Sequence, residues 1–254
     1  MLEAAVATIV IGLSLACLSY AGAAIDLPLR DAEIIWIDRQ FGFDWSSVMA
    51  RLDRCPLLAA ILDGAYATFT TQLVGTVFLL AVTTRMRELD CFFVSFVCAS
   101  TIAEGISVVI PTLGPMPVLA SGAHFANLPS IGRTSAGIML ALRAGELRMI
   151  DFEALNGIIS FPSLHAAVAI LVPYALRWNK LLFWPIAALD VVMLVSSVPS
   201  GNHYLADALC GAAIGVVAIL SAANIQSWIE NRFVGSLSIL RLKSFEPSRP
   251  AQTL

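Results

Sequence analysis

The chain has 254 residues, of which 58% are hydrophobic and 13% charged, and its mean hydropathy is +0.83. A soluble domain carries roughly a quarter charged residues, so the composition excludes an ordinary water-soluble fold and points to an integral membrane protein. A net charge of −3 offers no basic face to nucleic acid, and five cysteines without a Cys-x-x-Cys pair give neither a disulfide framework nor a zinc site.

A helical crossing needs about 20 apolar residues, and the length accommodates six. Residues 4–25 form the first. Ala21-Gly22-Ala23 looks like a signal cleavage site, but Glu3 and the lack of Lys or Arg before the run favour an uncleaved span. Residues 26–56 are a mixed-charge stretch with four arginines, six acids and the aromatics Trp36, Phe41, Phe43 and Trp45. Ile34, Ile35, Ile37 and Phe41 recur at roughly helical spacing there. They predict a short helix lying on the membrane, with a solvated, aromatically anchored loop as the alternative.

The second span is 61–84, with Asp63 at its entrance and Gln72 within it, and Arg85–Asp90 is a tight charged turn. The third, 91–110, is interrupted by Glu104. Pro111-Thr112-Leu113-Gly114-Pro115-Met116-Pro117 then ends helical geometry, because proline has no amide to donate and clashes with the preceding turn. From there to Ser160 the chain is too broken for a span and too apolar for an ordinary loop. It is expected to fold over the membrane surface, partly re-entrant, against the motifs that follow.

Residues 161–176 form the fourth span, 181–198 the fifth, with Asp190 at its middle, and 204–223 the sixth. In the last, Gly211 and Gly215 make a small-xxx-small face for close packing. Residues 224–254 are a basic tail expected to contact anionic headgroups. With no internal repeat, 1–254 reads as one domain: an all-α, polytopic membrane protein, a six-transmembrane-helix bundle with an exoplasmic, partly re-entrant loop before the fourth span. The short turns at Arg85/Arg87 and Arg177/Lys180 are placed inside by the positive-inside rule. Alternation then puts both termini and the tail in the cytoplasm and both histidine motifs outside.

Those motifs are Phe161-Pro162-Ser163-Leu164-His165 and Gly201-Asn202-His203-Tyr204-Leu205-Ala206-Asp207, each opening an apolar run. His203 and Asp207, four apart, share one helix face, where a carboxylate can hold an imidazole in one tautomer and raise its basicity. Ionisable groups at the mouth of a span suggest function. Two histidines and a carboxylate at matching helix ends suit phosphoryl transfer. The amides after Pro162 would greet an anion with free N–H groups, and proline sits comfortably in a first turn. His124 is more simply a polar residue reaching water. Glu104 could shape the pocket or bind an acceptor hydroxyl, and Asp190 is expected to be a neutral, hydrogen-bonded packing residue.

Pro162-Ser163-x-His165, a short helical hairpin, then His203-x-x-x-Asp207 resembles the type 2 phosphatidic acid phosphatase superfamily, most clearly over residues 110–215. Leu164 replaces the glycine of the commoner form. The Gly-Asn-His-Tyr-Leu-x-Asp block is similar to the branch containing inositol phosphorylceramide synthase and its bacterial relatives. The resemblance implies that His203 attacks phosphorus to give a phosphohistidine, oriented by Asp207. It implies that His165 acts as general acid and then base, and that Ser163 holds phosphate oxygens. The implied partners are a lipid phosphate and membrane lipids, with no cofactor and no metal. The expected place is the bacterial inner membrane, with the site facing the periplasm.

The sequence also departs from that pattern. Ser196 and Ser197 stand where the commoner form has a Ser-Arg pair, and the upstream lysine-to-Arg-Pro motif is missing. A transferring phosphoryl group still needs positive charge around its oxygens. Arg143 is the first choice to supply it, because Leu142-Arg143-Ala144-Gly145 leads towards the first motif; Arg133 and Arg148 follow, and His124 is weaker. Phosphatase and transferase share all these residues and differ in how well the pocket excludes water. A haem-binding carrier using the same histidines, a rhomboid-type protease built on Ser163 and His203, and a non-enzymatic membrane protein are the competing readings. The Pro-Ser-x-His context and Asp207 do nothing for haem, and the Gly-x-Ser-x motif of such proteases is missing.

Overall fold

The structure is a computed structural model that describes residues 2–120, 122, 125–129, 131–150 and 155–243. Among the described residues it is wholly helical. The elements are α1 (Leu2–Ala23), α2 (Asp31–Gln40), α3 (Trp45–Leu52), α4 (Pro56–Ala67), α5 (Phe69–Val82), α6 (Met86–Val109), α7 (Pro115–Leu119), α8 (Ile131–Arg143), α9 (Leu164–Leu176), α10 (Lys180–Ser196) and α11 (Leu205–Lys243). Three helices are long and apolar enough to cross a membrane: Leu2–Ala23, Met86–Val109 and Leu205–Trp228. Helices α4 and α5 together make a fourth candidate, bent by 43°. The chain is a polytopic, all-helical membrane protein.

Helix α9 is the axis of the bundle. Its sequence, LHAAVAILVPYAL, is apolar on every side, and a helix of that kind is stable only when surrounded. Nine of its 13 residues are buried, against α5, α6, α10 and α11. Helix α1 is as apolar, yet only Ala4 and Tyr20 are buried in it. Its free sides, like exposed Leu57, Val74, Phe78, Val191 and Leu220 elsewhere, suit lipid and would be a liability in water.

The approach of α11 to α9 depends on glycine. A Cβ on Gly211 would lie 2.0 Å from the Ser163 carbonyl oxygen, and one on Gly215 would lie 2.7 Å from that of Ala167. The small-residue face seen in the sequence is thus the seam that sets the start of α9 beside the start of α11. At the other end, the Arg85 guanidinium lies 4.5 Å from the centre of the Trp178 ring, so the two short arginine-bearing turns are neighbours. The histidines and those turns occupy opposite ends of α9.

Three boundaries differ from the sequence reading. The second run is broken at Thr68, whose hydroxyl donates to the Ala65 carbonyl and accepts from the Gln72 amide. Such side-chain bonds compete with the helical ladder. The interfacial helix begins at Asp31, ahead of the isoleucines. The backbone of α11 stays helical to Lys243, well past Ala223, where a tail was predicted.

The described parts of 111–160 lie over the turn that precedes α11. Gly114 has a positive φ of 89°, and a Cβ there would meet the Asn202 oxygen at 2.5 Å. The Met116 amide donates to the Gly201 carbonyl at 3.1 Å, and a Cβ on Gly132 would approach the same oxygen to 2.2 Å.

Replacing Gly211 with Val should therefore force α9 and α11 apart. We expect a loss of about 1–3 kcal/mol, as for other overpacked cores, together with most of the activity. Gly64→Ala, where a Cβ meets nothing within 4 Å, should be neutral or stabilising. Thermal unfolding of both variants in detergent checks this.

Candidate active site

Ser163 caps α9: its side-chain oxygen accepts the Ala166 N–H at 3.3 Å, and its own N–H donates to the Asp207 carbonyl at 3.1 Å. The helix thus starts at Leu164, and Pro162 lies ahead of the cap, outside the first turn where the sequence reading put it. Capping leaves the first amides of α9 aimed out of the helix end, with no carbonyl one turn back to bind.

His165 follows immediately, and its ring is held between two aromatics. Tyr66 stacks on it with centroids 3.9 Å apart and planes 10° apart, while Phe69 lies at 4.2 Å and 34°. These residues end α4 and begin α5, so the break at Thr68 is what turns both rings onto the imidazole. The Tyr66 hydroxyl accepts from the Asn202 side-chain amide at 3.2 Å, which links this sandwich to the second motif.

His203 is 2% exposed. Its Nδ1 lies 2.8 Å from the Ser160 carbonyl oxygen. A carbonyl can only accept, so Nδ1 carries a proton, and in the neutral ring the lone pair is then on Nε2. Asp207, fully buried, stands one layer behind: its Oδ2 is 3.8 Å from Nδ1, too far for a hydrogen bond but near enough to attract an imidazolium. That oxygen accepts the Tyr204 N–H at 2.8 Å and lies 3.0 Å from the Ser160 Oγ, which is also 2.5 Å from the Asn202 oxygen. The sequence reading had Asp207 hold the imidazole directly. Here the Ser160 carbonyl makes that contact, and Asp207 steadies the Ser160 side chain and the turn.

The His165 and His203 rings are 5.9 Å apart, centre to centre, with planes at 58°. Reactive contacts are about 3–3.5 Å, so a single tetrahedral anion can touch both. No group of three or more His, Cys, Asp or Glu suited to a metal occurs among the described residues.

The remaining candidates are more scattered. Arg143 pairs with Asp26 at 2.7 Å and donates to the Leu27 and Ile25 carbonyls, which ties the end of α8 to the end of α1. Arg148 donates to the Gly145 carbonyl at 3.0 Å. Arg133 donates to the Ala120 carbonyl at 2.8 Å, and its neighbour Gly132 abuts the Gly201 carbonyl. Glu104 is half-buried on α6 without a side-chain hydrogen bond or ion pair among the described residues. Asp190 is buried in α10 and interacts with the Gln72 side chain of α5. His124 lies outside the described residues.

Tyr66, Phe69 and Ser160 were not legible in the sequence. A tyrosine and a phenylalanine in an apolar span carry no signal of their own, and a serine before Phe-Pro reads as an ordinary turn residue. Asp31 and Asp38 of α2, also missed, reach the His203 turn through hydrogen bonds to its backbone and to Tyr204.

A family model described as the PAP2 superfamily matches residues 32–221, from α2 into α11 and through both histidine motifs. No curated protein and no solved structure gave a match. A match over well more than half of the chain shows the family: the chain belongs to the PAP2 (type 2 phosphatidic acid phosphatase) superfamily of phosphatases and phosphotransferases.

Proposed function

We propose that this protein cleaves a lipid phosphate ester through a phosphohistidine on His203, passing the phosphoryl-containing group to water or to a lipid or polyol hydroxyl. The observation that carries the reading is the pairing of the two imidazoles, 5.9 Å apart, with Nδ1 of His203 bound to the Ser160 carbonyl, so that the neutral ring has its lone pair on Nε2. In the first step that lone pair forms a bond to phosphorus while the ester P–O bond breaks. The departing oxygen takes the electron pair and a proton from His165. In the second, neutral His165 takes a proton from water or an acceptor hydroxyl, whose oxygen attacks phosphorus as the P–N bond breaks back to His203. Asp207 offsets the positive charge on the His203 ring throughout.

The first amides of α9, near the Ser163 side chain, supply partial positive charge to the phosphate oxygens. Among the arginines the reading now favours Arg133. Its backbone adjoins the His203 turn through Gly132, and its guanidinium donates to the Ala120 carbonyl, whereas Arg143 stands at the other end of α8 and Arg148 beyond it. Glu104, without a side-chain partner among the described residues, is the proposed contact for an acceptor hydroxyl. The similarity of the Gly201–Asp207 block to inositol phosphorylceramide synthase leans the substrate range towards transfer between lipids. Around this chemistry we place six crossings, with α9 and α10 as short fourth and fifth ones. We also place a partly re-entrant 111–160 segment over the site, and the site on the exoplasmic face of a bacterial inner membrane.

Purified protein given lipid phosphate labelled at phosphorus should trap acid-labile, base-stable label on His203. His203→Ala should lower kcat on the order of 10⁴-fold or more, and Asp207→Asn by on the order of 10²–10⁴-fold; full activity in His203→Ala would end the proposal. Arg133→Gln should cost roughly 10²–10³-fold in kcat, as loss of an oxyanion donor does, whereas Arg143→Gln should mainly lower the thermal midpoint. Since histidines and cations supply the acid, nucleophile and charge, EDTA should leave turnover unchanged; strong inhibition by it would count against the mechanism. Product analysis with and without an added sphingoid or polyol acceptor separates transfer from hydrolysis.

A further inference from the structure

Helix α2 lies outside both histidine motifs, yet it turns two carboxylates inward. Asp31, Ile34 and Asp38 fall on one face by their spacing, and all three are buried, at 6%, 3% and 3% exposure. No ion pair to Asp31 or Asp38 occurs among the described residues. Buried carboxylates are costly unless hydrogen-bonded, so the location of their bonds shows what the helix is built to hold.

Asp38 caps a helix from far away in sequence. Its Oδ2 accepts the Leu205 N–H at 3.0 Å and its Oδ1 the Ala206 N–H at 2.8 Å, both at the opening of α11. Asp31 joins two other strands of the site. Its Oδ1 accepts the Tyr204 hydroxyl at 2.8 Å, the Leu113 N–H at 3.0 Å and the Gly114 N–H at 3.1 Å. Gly114 in turn packs on the Asn202 oxygen. Burial pushes both carboxyls above the usual carboxylate range, while the amide hydrogen bonds pull them back down.

We propose that α2 is a brace for the reaction, with Asp31 and Asp38 as positioning residues that fix the 201–206 turn, and through it the His203 ring, against the 111–114 segment. Neither carboxylate touches His203. They act through the residues on its C-terminal side, Tyr204 to Ala206, while Ser160 and Asp207 hold it from within the motifs. One consequence is that the opening amides of α11 are occupied, Tyr204 by Asp207 and the next two by Asp38. A bound phosphate cannot use those three amides without displacing a carboxylate. The role assigned to α2 rests on His203 being the nucleophile.

The test compares Asp31→Asn, Asp38→Asn and Ile34→Ala in the full chain reconstituted in lipid. Each amide replaces one accepting oxygen by a donor at nearly constant volume, whereas Ile34→Ala removes packing from the same face and no hydrogen bond. The Asp variants should lower kcat, and the rate of label trapping on His203, by roughly 10–100-fold, as small misplacements of reacting groups do, with KM little changed. Ile34→Ala should lower the thermal midpoint and keep kcat per folded molecule. Unchanged kcat in the Asp variants, or an equal loss per folded molecule in Ile34→Ala, overturns the proposal. Where the Asp variants do not fold, Tyr204→Phe decides, since it removes only the hydroxyl contact to Asp31: a several-fold fall in kcat at constant KM supports the brace, and an unchanged kcat overturns it. Absence of label on His203 in the unaltered chain would sink the phosphohistidine reading separately, and the kcat comparison would still report on the brace.

Discussion

A turn at the mouth of a membrane helix must satisfy its own polar groups, because the bilayer supplies no dependable water to do so. The six residues from Gly201 to Ala206 meet this constraint with a few local bonds and with several partners from distant parts of the chain. The Ser160 carbonyl accepts from His203 Nδ1–H, Asp207 accepts the Tyr204 amide and Asp38 the next two, the Tyr66 hydroxyl accepts from the Asn202 side chain, and the Met116 amide donates to the Gly201 carbonyl. Each bond is ordinary alone, worth about 1 kcal/mol net. Together they leave the His203 ring little freedom to rotate, and a fixed ring is what an in-line attack needs.

The same economy explains the helix pairing. His165 opens α9 and His203 lies in the turn before α11, so the two rings meet only if those helices start side by side. The glycine seam of α11 achieves that by letting the Ser163 carbonyl approach to a distance no Cβ would permit. Because Ser163 also caps α9 and donates its N–H to the Asp207 carbonyl, one residue joins packing, capping and site geometry. His165, by contrast, is positioned mainly by ring contacts with Tyr66 and Phe69. Among the described residues no hydrogen bond holds either of its ring nitrogens, in keeping with the acid–base role proposed for it.

Residue pattern made part of this legible and hid the rest for physical reasons. Apolar runs located the long helices, since hydropathy reports burial in lipid directly, and the Gly211/Gly215 spacing announced a close contact. The i, i+4 spacing placed Asp207 near His203, but local spacing cannot show that the Ser160 carbonyl, 43 residues away, makes the nearer contact. The broken second span was missed because a threonine hydroxyl bonding to its own helix leaves hydropathy unchanged. Helix α2 is read from its isoleucines as a helix lying on the membrane, and its acids carry no assigned role in that reading. Which face of an interfacial helix turns inward depends on tertiary partners, here the amides of α11. Arg143 looked promising by proximity in sequence, yet folding back onto α1 gives it Asp26 instead.

At the centre lies the claim that one phosphoryl group sits between His165 and His203. The most direct test is an experimental structure with vanadate, which adopts the five-coordinate geometry of phosphorus during displacement. The account predicts vanadium bonded to Nε2 of His203, its opposite apical oxygen within hydrogen-bond reach of His165, and its equatorial oxygens met by the first amides of α9. Vanadate bound elsewhere, or bonded to His165 with His203 turned away, would contradict it.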